Sequence, residues 1–409
     1  MAAVQALQGA SGASATPAWR GGFGRLWTAA VVSRFGDSLR TAALPPLATG
    51  LTTDPLLIAL VTACGYLPWL LFGLLGGALA DRVDQRRAMW AVDLVRGALV
   101  AAFAVAVGAG HAFMVLLIAF AFALTTLQTL FDNAATALLP SLVPSGALGS
   151  ANARLMTGQQ IAGGFLAAPL VPVLLALSAA APYGVDAASY VLAAGLVASL
   201  RVDAPRRPAR KAGATLRAEI AEGLRALWAD RALRGLCAAT TVCNLGMGAL
   251  IATLVLHVTG WLHAGHGGYA ATITAYGGGS VVGGLLAQRC ARRLGRIRSV
   301  LAAGAVQACC LAAMGTVRAL GVTVAAMALF GLMGMVWNVN LTTLMQERAP
   351  EAMLGRVSAA FRTLAVAGAP LGALAGGAAA ASWGLNTPAL LASGLFLAAV
   401  VALIPARTA

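Results

Sequence analysis

Charge is scarce in this sequence: only 10% of its 409 residues are Asp, Glu, Lys or Arg, against about 25% in a soluble domain. A soluble chain of this length would need a charged surface that these residues do not provide. Acids are scarcer than bases, 13 against 28, giving a formal net charge of +15. No Walker-type phosphate loop is present, which argues against an engine driven by bound nucleotide within this chain. No two cysteines have the Cys-x-x-Cys spacing, and all six lie in or beside apolar runs as small fillers. No paired His or carboxylate cluster has catalytic spacing at a membrane face, so neither an enzyme centre nor a cofactor is expected. His257, His263 and His266 share one segment, but no carboxylate accompanies them, and a solvated outer loop is the expectation.

Apolar residues fill the space that charge leaves. They make up 60% of the chain, and the mean hydropathy is +0.83. One membrane-crossing helix takes about 20 mostly apolar residues. Windows of about that length predict spans over 25–50, 55–80, 88–108, 112–138, 151–176 and 182–200. A second set follows over 233–257, 267–288, 299–317, 322–346, 356–380 and 388–405. The fold class is therefore an all-α membrane protein with twelve transmembrane helices in two pseudo-symmetric six-helix bundles. The domain plan is a disordered tail over 1–24, a first half over 25–200, a linker over 201–232 and a second half over 233–409. The first 19 residues, without an apolar core or a charge, read as tail rather than signal peptide.

Basic residues set the orientation. Arg34, Arg40, Arg96 and Arg362 fall within spans and Arg318 on one side; every other Lys and Arg falls on the opposite side. The positive-inside rule then puts both termini in the cytoplasm of a cell-membrane protein. The same distribution, in short clusters rather than one stripe, argues against nucleic acid as a partner. Residues 201–211 are rich in Pro and Arg, and Leu216, Ile220, Leu224, Leu227 and Trp228 then recur at helical spacing. An amphipathic linker helix on the cytoplasmic membrane surface is expected there.

The two halves repeat each other. Gly76-Gly77-Ala78-Leu79-Ala80-Asp81-Arg82 aligns with Gly283-Gly284-Leu285-Leu286-Ala287-Gln288-Arg289, and Pro144, Leu148 and Gly149 align with Pro350, Leu354 and Gly355. Parallel six-helix repeats build one large class of secondary transporters, with substrate held near the midplane. The loop from Gly77 through Asp81, Arg82, Asp84, Arg86 and Arg87 resembles the signature between the second and third helices of the major facilitator superfamily, with Asp84 where the signature has its second Gly. Ser33-Arg34-Phe35-Gly36-Asp37, Leu139-Pro140 to Pro144, Asp186 to Ser189-Tyr190 and Gly355-Arg356-Val357 are similar to its macrolide-efflux and siderophore-export branch. The resemblance implies alternating access and a cytoplasmic gating loop of Gly77, Asp81, Arg82 and Arg86, with Asp81 meeting the start of the eleventh helix, where Arg356 stands. The Gly-Pro-x-x-Gly-Gly motif of drug antiporters is replaced by Ala168-Pro169-Leu170-Val171-Pro172.

Ionisable residues inside a span are costly and mark function by default. Arg34, Asp37 and Arg40 are three apart, which makes Asp37 a neighbour of both arginines. Asp37 and Arg40 are the proton-coupling candidates, with Asp132 as the second acid, one turn from Gln128. Asp186 reads as a packing or hydrogen-bonding residue near the outer end of the sixth span. Asp93 and Arg96 read as a structural pair near the cytoplasmic face. Gln128, Gln159, Gln160, Asn244, Trp337, Asn338 and Asn340 are the cavity candidates. Few fixed charges and several apolar and aromatic walls suit an amphipathic or cationic organic molecule. The expected function is proton-coupled efflux of such a compound by a monomer in the lipid bilayer. An importer or siderophore transporter of the same fold is the alternative, and a non-transporting receptor or polytopic enzyme the rival from another class.

Overall fold

A computed structural model describes residues 21–80, 84–143, 148–200, 216–350 and 353–404. Residues 1–20 of the expected tail, linker residues 201–215, Asp81 and Arg82 lie outside the described residues, while Gly22, Phe23 and Gly24, also assigned to the tail, begin the first helix. Among the described residues, twelve long helical segments and a linker helix make up the fold. The first half contains α1 (Gly22–Leu51), α2 (Pro55–Ala80), α3 (Gln85–Gly108) and α4 (Met114–Leu142). Its fifth span, α5, runs through Leu148–Gln160, a π-helical stretch Ile161–Ala167 and Ala168–Leu177; α6 is Ala181–Ala198. The linker helix is Leu216–Ala229. In the second half, α7 (Arg231–Leu256) ends in a π-helical stretch His257–Trp261, and α8 (Gly265–Leu294), α9 (Arg296–Thr316), α10 (Leu320–Arg348), α11 (Leu354–Trp383) and α12 (Thr387–Leu403) follow.

Among the described residues, nine of these helices are long and apolar enough to cross a membrane by themselves. The other three have identifiable causes. Helix α1 carries Arg25, Arg34, Asp37 and Arg40, α5 is divided by its π stretch, and α12 has only 17 residues. The division of α5 follows from Pro169, which has no N–H to donate and whose ring crowds the preceding turn. The wider π turn just before it absorbs the mismatch.

Helix pairing repeats between the halves. In the first, α1 packs on α5 and α6, α2 on α4, and α3 on α4 and α6; in the second, α7 packs on α11 and α12, α8 on α10, and α9 on α10 and α12. Glycines permit the closest of these approaches, as expected where small residues let backbones meet. Gly279 and Gly283 of α8 lie against the Ala328 and Leu332 carbonyls of α10, and Gly368 and Gly372 of α11 against those of Thr241 and Leu245 on α7.

The halves meet through α2 with α11, α5 with α8 and α2 with α7. Gly377 rests on the Pro55 carbonyl and on Leu56, beside a cluster of Ala59, Ala63, Ala252 and Ala373. Ala42 and Pro46 of α1, Val171 and Pro172 of α5, and Tyr269 and Ala270 of α8 surround a second contact. All of these residues belong to the helix ends remote from the linker.

Two polar details come from local sequence. Asp84 is the N-cap of α3, its Oδ1 accepting the Arg87 N–H at 3.0 Å. This accounts for an acid at the signature's glycine position. Asp230 caps α7 in the same way through the Leu233 N–H at 2.8 Å.

Candidate functional site

The first half contains a buried polar network, assembled from four helices. Gly36 starts it. A side chain there would collide with Ser189 and Asp186, so glycine lets α6 approach α1 beside Asp37. Gly97 of α3 faces the same helix, with the Tyr190 Cβ and the Ala187 carbonyl at contact distance from where its Cβ would stand, 3.4 and 3.5 Å. These approaches bring Asp37, midway along α1, against groups from α3 and α6.

Asp37 then receives two guanidinium groups. Arg40 donates to its Oδ1 at 2.8 Å, and Arg96 donates to Oδ1 at 3.0 Å and Oδ2 at 3.2 Å. The Tyr190 hydroxyl donates to the same Oδ1. Arg40 also reaches Asp186 Oδ2 at 2.8 Å, bridging the two acids. Arg96 extends the network further: its Nη1 lies 3.1 Å from Asp93 Oδ1, and its Nη2 also donates to Gln128 Oε1. Its guanidinium lies over the Tyr190 ring at 4.0 Å and near the Phe131 ring at 5.7 Å. Gln128 donates in turn to Asp132 Oδ1 at 2.8 Å. Desolvation makes isolated charges here expensive, and mutual pairing is what permits their burial.

This geometry places three of the residues singled out in the sequence. The expected Asp93–Arg96 pair forms, and Arg96 also reaches Asp37, Gln128 and Tyr190 at the centre of the network. Asp186, read as a packing or hydrogen-bonding residue, is fully buried and holds Arg40, because α6 crosses α1 at the height of that arginine. Arg34, which has the same spacing from Asp37 as Arg40, makes no ion pair among the described residues. Its stem runs beside Gly163 of α5, and its charge remains within electrostatic reach of Asp37 and Asp132. Tyr190 was missed as a site residue. The signal was present in its segment from Asp186 to Tyr190, but only packing shows that this segment faces Gly36 and Asp37.

The remaining cavity candidates divide into two groups. Asn244 donates across to the Ala365 carbonyl at 2.9 Å and joins α7 to α11. Trp337 is buried against Gly304, and Asn340 donates to the Val336 and Ala287 carbonyls at 2.9 and 3.5 Å. Those three hold helices together. Gln159 and Gln160 are half-buried, and Asn338 is exposed with its Oδ1 accepting from the Thr342 hydroxyl at 3.4 Å. His257 is buried rather than in a solvated loop, packed on Trp261 with Nδ1 3.3 Å from the Leu385 carbonyl.

At the linker end, Arg86 donates to the Ala198 carbonyl, tying α3 to α6, at 2.6 Å. Arg356, at the start of α11, pairs with Glu222 of the linker helix. Gly223 rests on the backbone of Arg356, and Leu227 is buried beside it in the core. The sequence assigned Arg356 to Asp81, which lies outside the described residues, as does the side-chain environment of Gly77.

Two repeated six-helix bundles, joined on one side by a linker and enclosing paired charges at mid-span, define a polytopic transporter fold. The chain belongs to the Major Facilitator Superfamily, whose sequence model matches residues 26–373. A search of the curated proteins finds no match. Among solved structures, a crystal structure of the nucleoside transporter NupG is similar with a TM-score of 0.78 at 10% identity, covering 93% of this chain and 99% of that one. A bacterial homologue of the human lysosomal transporter Spinster, in an inward-facing and unoccupied conformation, has a TM-score of 0.69 at 14% identity, covering 95% of each chain. The POT family transporter PepTSo has a TM-score of 0.70 at 13% identity, covering 96% of this chain and 99% of that one. At these identities the likeness is one of fold.

Proposed function

We propose that this protein exports a small amphipathic or cationic organic molecule in exchange for protons, by alternating access between its two halves. One observation carries the reading: the first-half interior holds Asp37, Asp93, Asp132 and Asp186 against Arg34, Arg40 and Arg96. Among the described residues that is one carboxyl more than guanidinium. A proton or a cationic ligand would balance it in a site where uncompensated charge is costly. Asp37 is the exchange point, since it is shared by Arg40, Arg96 and Tyr190, and small helix shifts redistribute those contacts.

With the linker in the cytoplasm, as the basic residues favour, the ends that meet at Gly377 and Pro46 are the outer ones. The conformation is then closed at its outer face. Gln159, Gln160 and Asn338 would offer amides to the ligand. Uptake of a small molecule by the same fold is the second reading.

The deciding experiment measures accumulation of candidate compounds in cells deleted for their own pumps, with and without this protein and with an uncoupler. Lower accumulation that the uncoupler abolishes supports export. Higher accumulation on expression establishes uptake instead.

A further inference from the structure

Among the described residues, the turn joining α8 to α9 is the strongest charged patch outside the network described above. Residues 288–298 contain Arg289, Arg292, Arg293, Arg296 and Arg298 and no acid. The corresponding turn of the first half differs in a specific way. There Asp81 and Asp84 accompany the arginines, Arg87 is paired with Asp84 and Arg86 is bound to the Ala198 carbonyl. The repeat places Gln288 and Ala291 at those two acidic positions. The second half has thus kept basic residues and lost the acids that neutralise them.

The geometry gathers these arginines. Arg292 and Arg293 close the last turn of α8, Gly295 turns the chain at φ +82°, and Arg296 and Arg298 open α9. Only glycine adopts that conformation without strain. Arg296 is engaged by Glu347 at 3.1 Å. Arg289, Arg292, Arg293 and Arg298 are exposed and make no ion pair with a described acid.

What adjoins them is apolar and also exposed. Residues 282, 285, 289 and 292 follow one face of α8 at helical spacing. Val282 and Leu285 on that face are 45% and 74% exposed, and Leu294 beside the turn is 49% exposed. In a bilayer, a stripe that passes from exposed Val and Leu to unpaired Arg matches a lipid molecule lengthwise, with acyl chains below and a phosphate above.

We infer that the α8–α9 turn is a binding site for an anionic phospholipid, its headgroup held by Arg289, Arg292, Arg293 and Arg298 and its chains lying on Val282 and Leu285. Each arginine near an anionic surface strengthens binding by about fivefold, and guanidinium forks suit phosphate oxygens. Charge complementarity selects this occupant over zwitterionic lipid.

The test uses the full chain purified in neutral detergent, with phosphatidylglycerol, phosphatidylcholine or inorganic phosphate added and retained lipid counted by native mass spectrometry. Phosphatidylglycerol should be retained and raise the unfolding temperature, while phosphatidylcholine and inorganic phosphate should not. The double variant Arg292→Gln with Arg293→Gln should weaken phosphatidylglycerol binding by about 25-fold. A control pair at exposed arginines elsewhere, Arg87→Gln with Arg225→Gln, should leave it unchanged. Cooperative unfolding of each variant without lipid establishes that it is folded, and Arg289→Gln with Arg298→Gln replaces the first pair if it is not. Equal retention of phosphatidylcholine, full response to inorganic phosphate, or equal losses from the turn and control pairs would each overturn the site.

Discussion

Arg96 Nη2 lies 3.0 Å from Asp37 Oδ1 although 59 residues separate them. This contact joins α3 to α1 across the interior of the first half and draws in Tyr190, Asp93 and Gln128. A guanidinium is suited to that position because its planar fork can serve several acceptors at once. Lysine, with a single ammonium, cannot hold the same set.

Arg96→Leu is therefore expected to destabilise the protein strongly, by about 3–5 kcal/mol, because it leaves Asp37 and Asp93 buried without that partner. Arg96→Lys should recover part of the stability and little of the transport. Thermal unfolding in detergent reads the first effect and vesicle transport the second. Wild-type stability in Arg96→Leu would show that the network does not support the fold.

Asp37→Asn keeps the shape and removes the exchangeable charge. It should insert normally, stop uphill export and leave downhill exchange or ligand binding measurable. Uphill, uncoupler-sensitive export by a well-folded Asn variant would make Asp37 a structural residue and turn attention to Asp132.

Glu222 and Arg356 are both well exposed, so their pairing should contribute less than about 1 kcal/mol to stability. A kinetic role is the stronger expectation, since the linker helix must move with α11 or release it. Glu222→Gln should change the transport rate while leaving the unfolding temperature within a degree or two. Asp81→Asn should lose most transport, and Gln288→Ala much less. Equal losses from the last two changes would remove the case for an asymmetric latch.

Closure at the helix ends remote from the linker must reverse during transport. A cysteine pair replacing Ala59 and Gly377, oxidised in membranes, should cross-link and block turnover, with activity restored by reductant. Full activity after complete cross-linking would show that this contact does not open.

Topology can be read independently. Single cysteines at positions 263 and 318 should react with an impermeant reagent applied outside, and those at 87, 210 and 293 should not. Reaction at 210 in intact cells would reverse the orientation.

Much of this architecture was legible in the residues alone because hydropathy and charge act locally. Apolar runs of bilayer length become helices, since a helix satisfies every backbone group within the run itself. Basic clusters mark their ends, and the Gly76–Arg82 and Gly283–Arg289 segments disclose the repeat. The i,i+3 spacing likewise made Arg40 a neighbour of Asp37. What no local rule contains is which faces meet. Arg34 and Arg40 are equivalent in spacing, yet α6 approaches the side of α1 bearing Gly36 and Arg40, so only Arg40 gains Asp186. Arg96 and Tyr190 joined Asp37 through the packing of α3 and α6 on α1, the second of these set by Gly36. Asn244 and Asn340 had the composition of cavity residues and were placed by packing on neighbouring carbonyls. Local periodicity determines that a helix forms and which stripe is apolar; the rotation and height at which helices cross depend on all of their contacts together, and only the tertiary structure decides them.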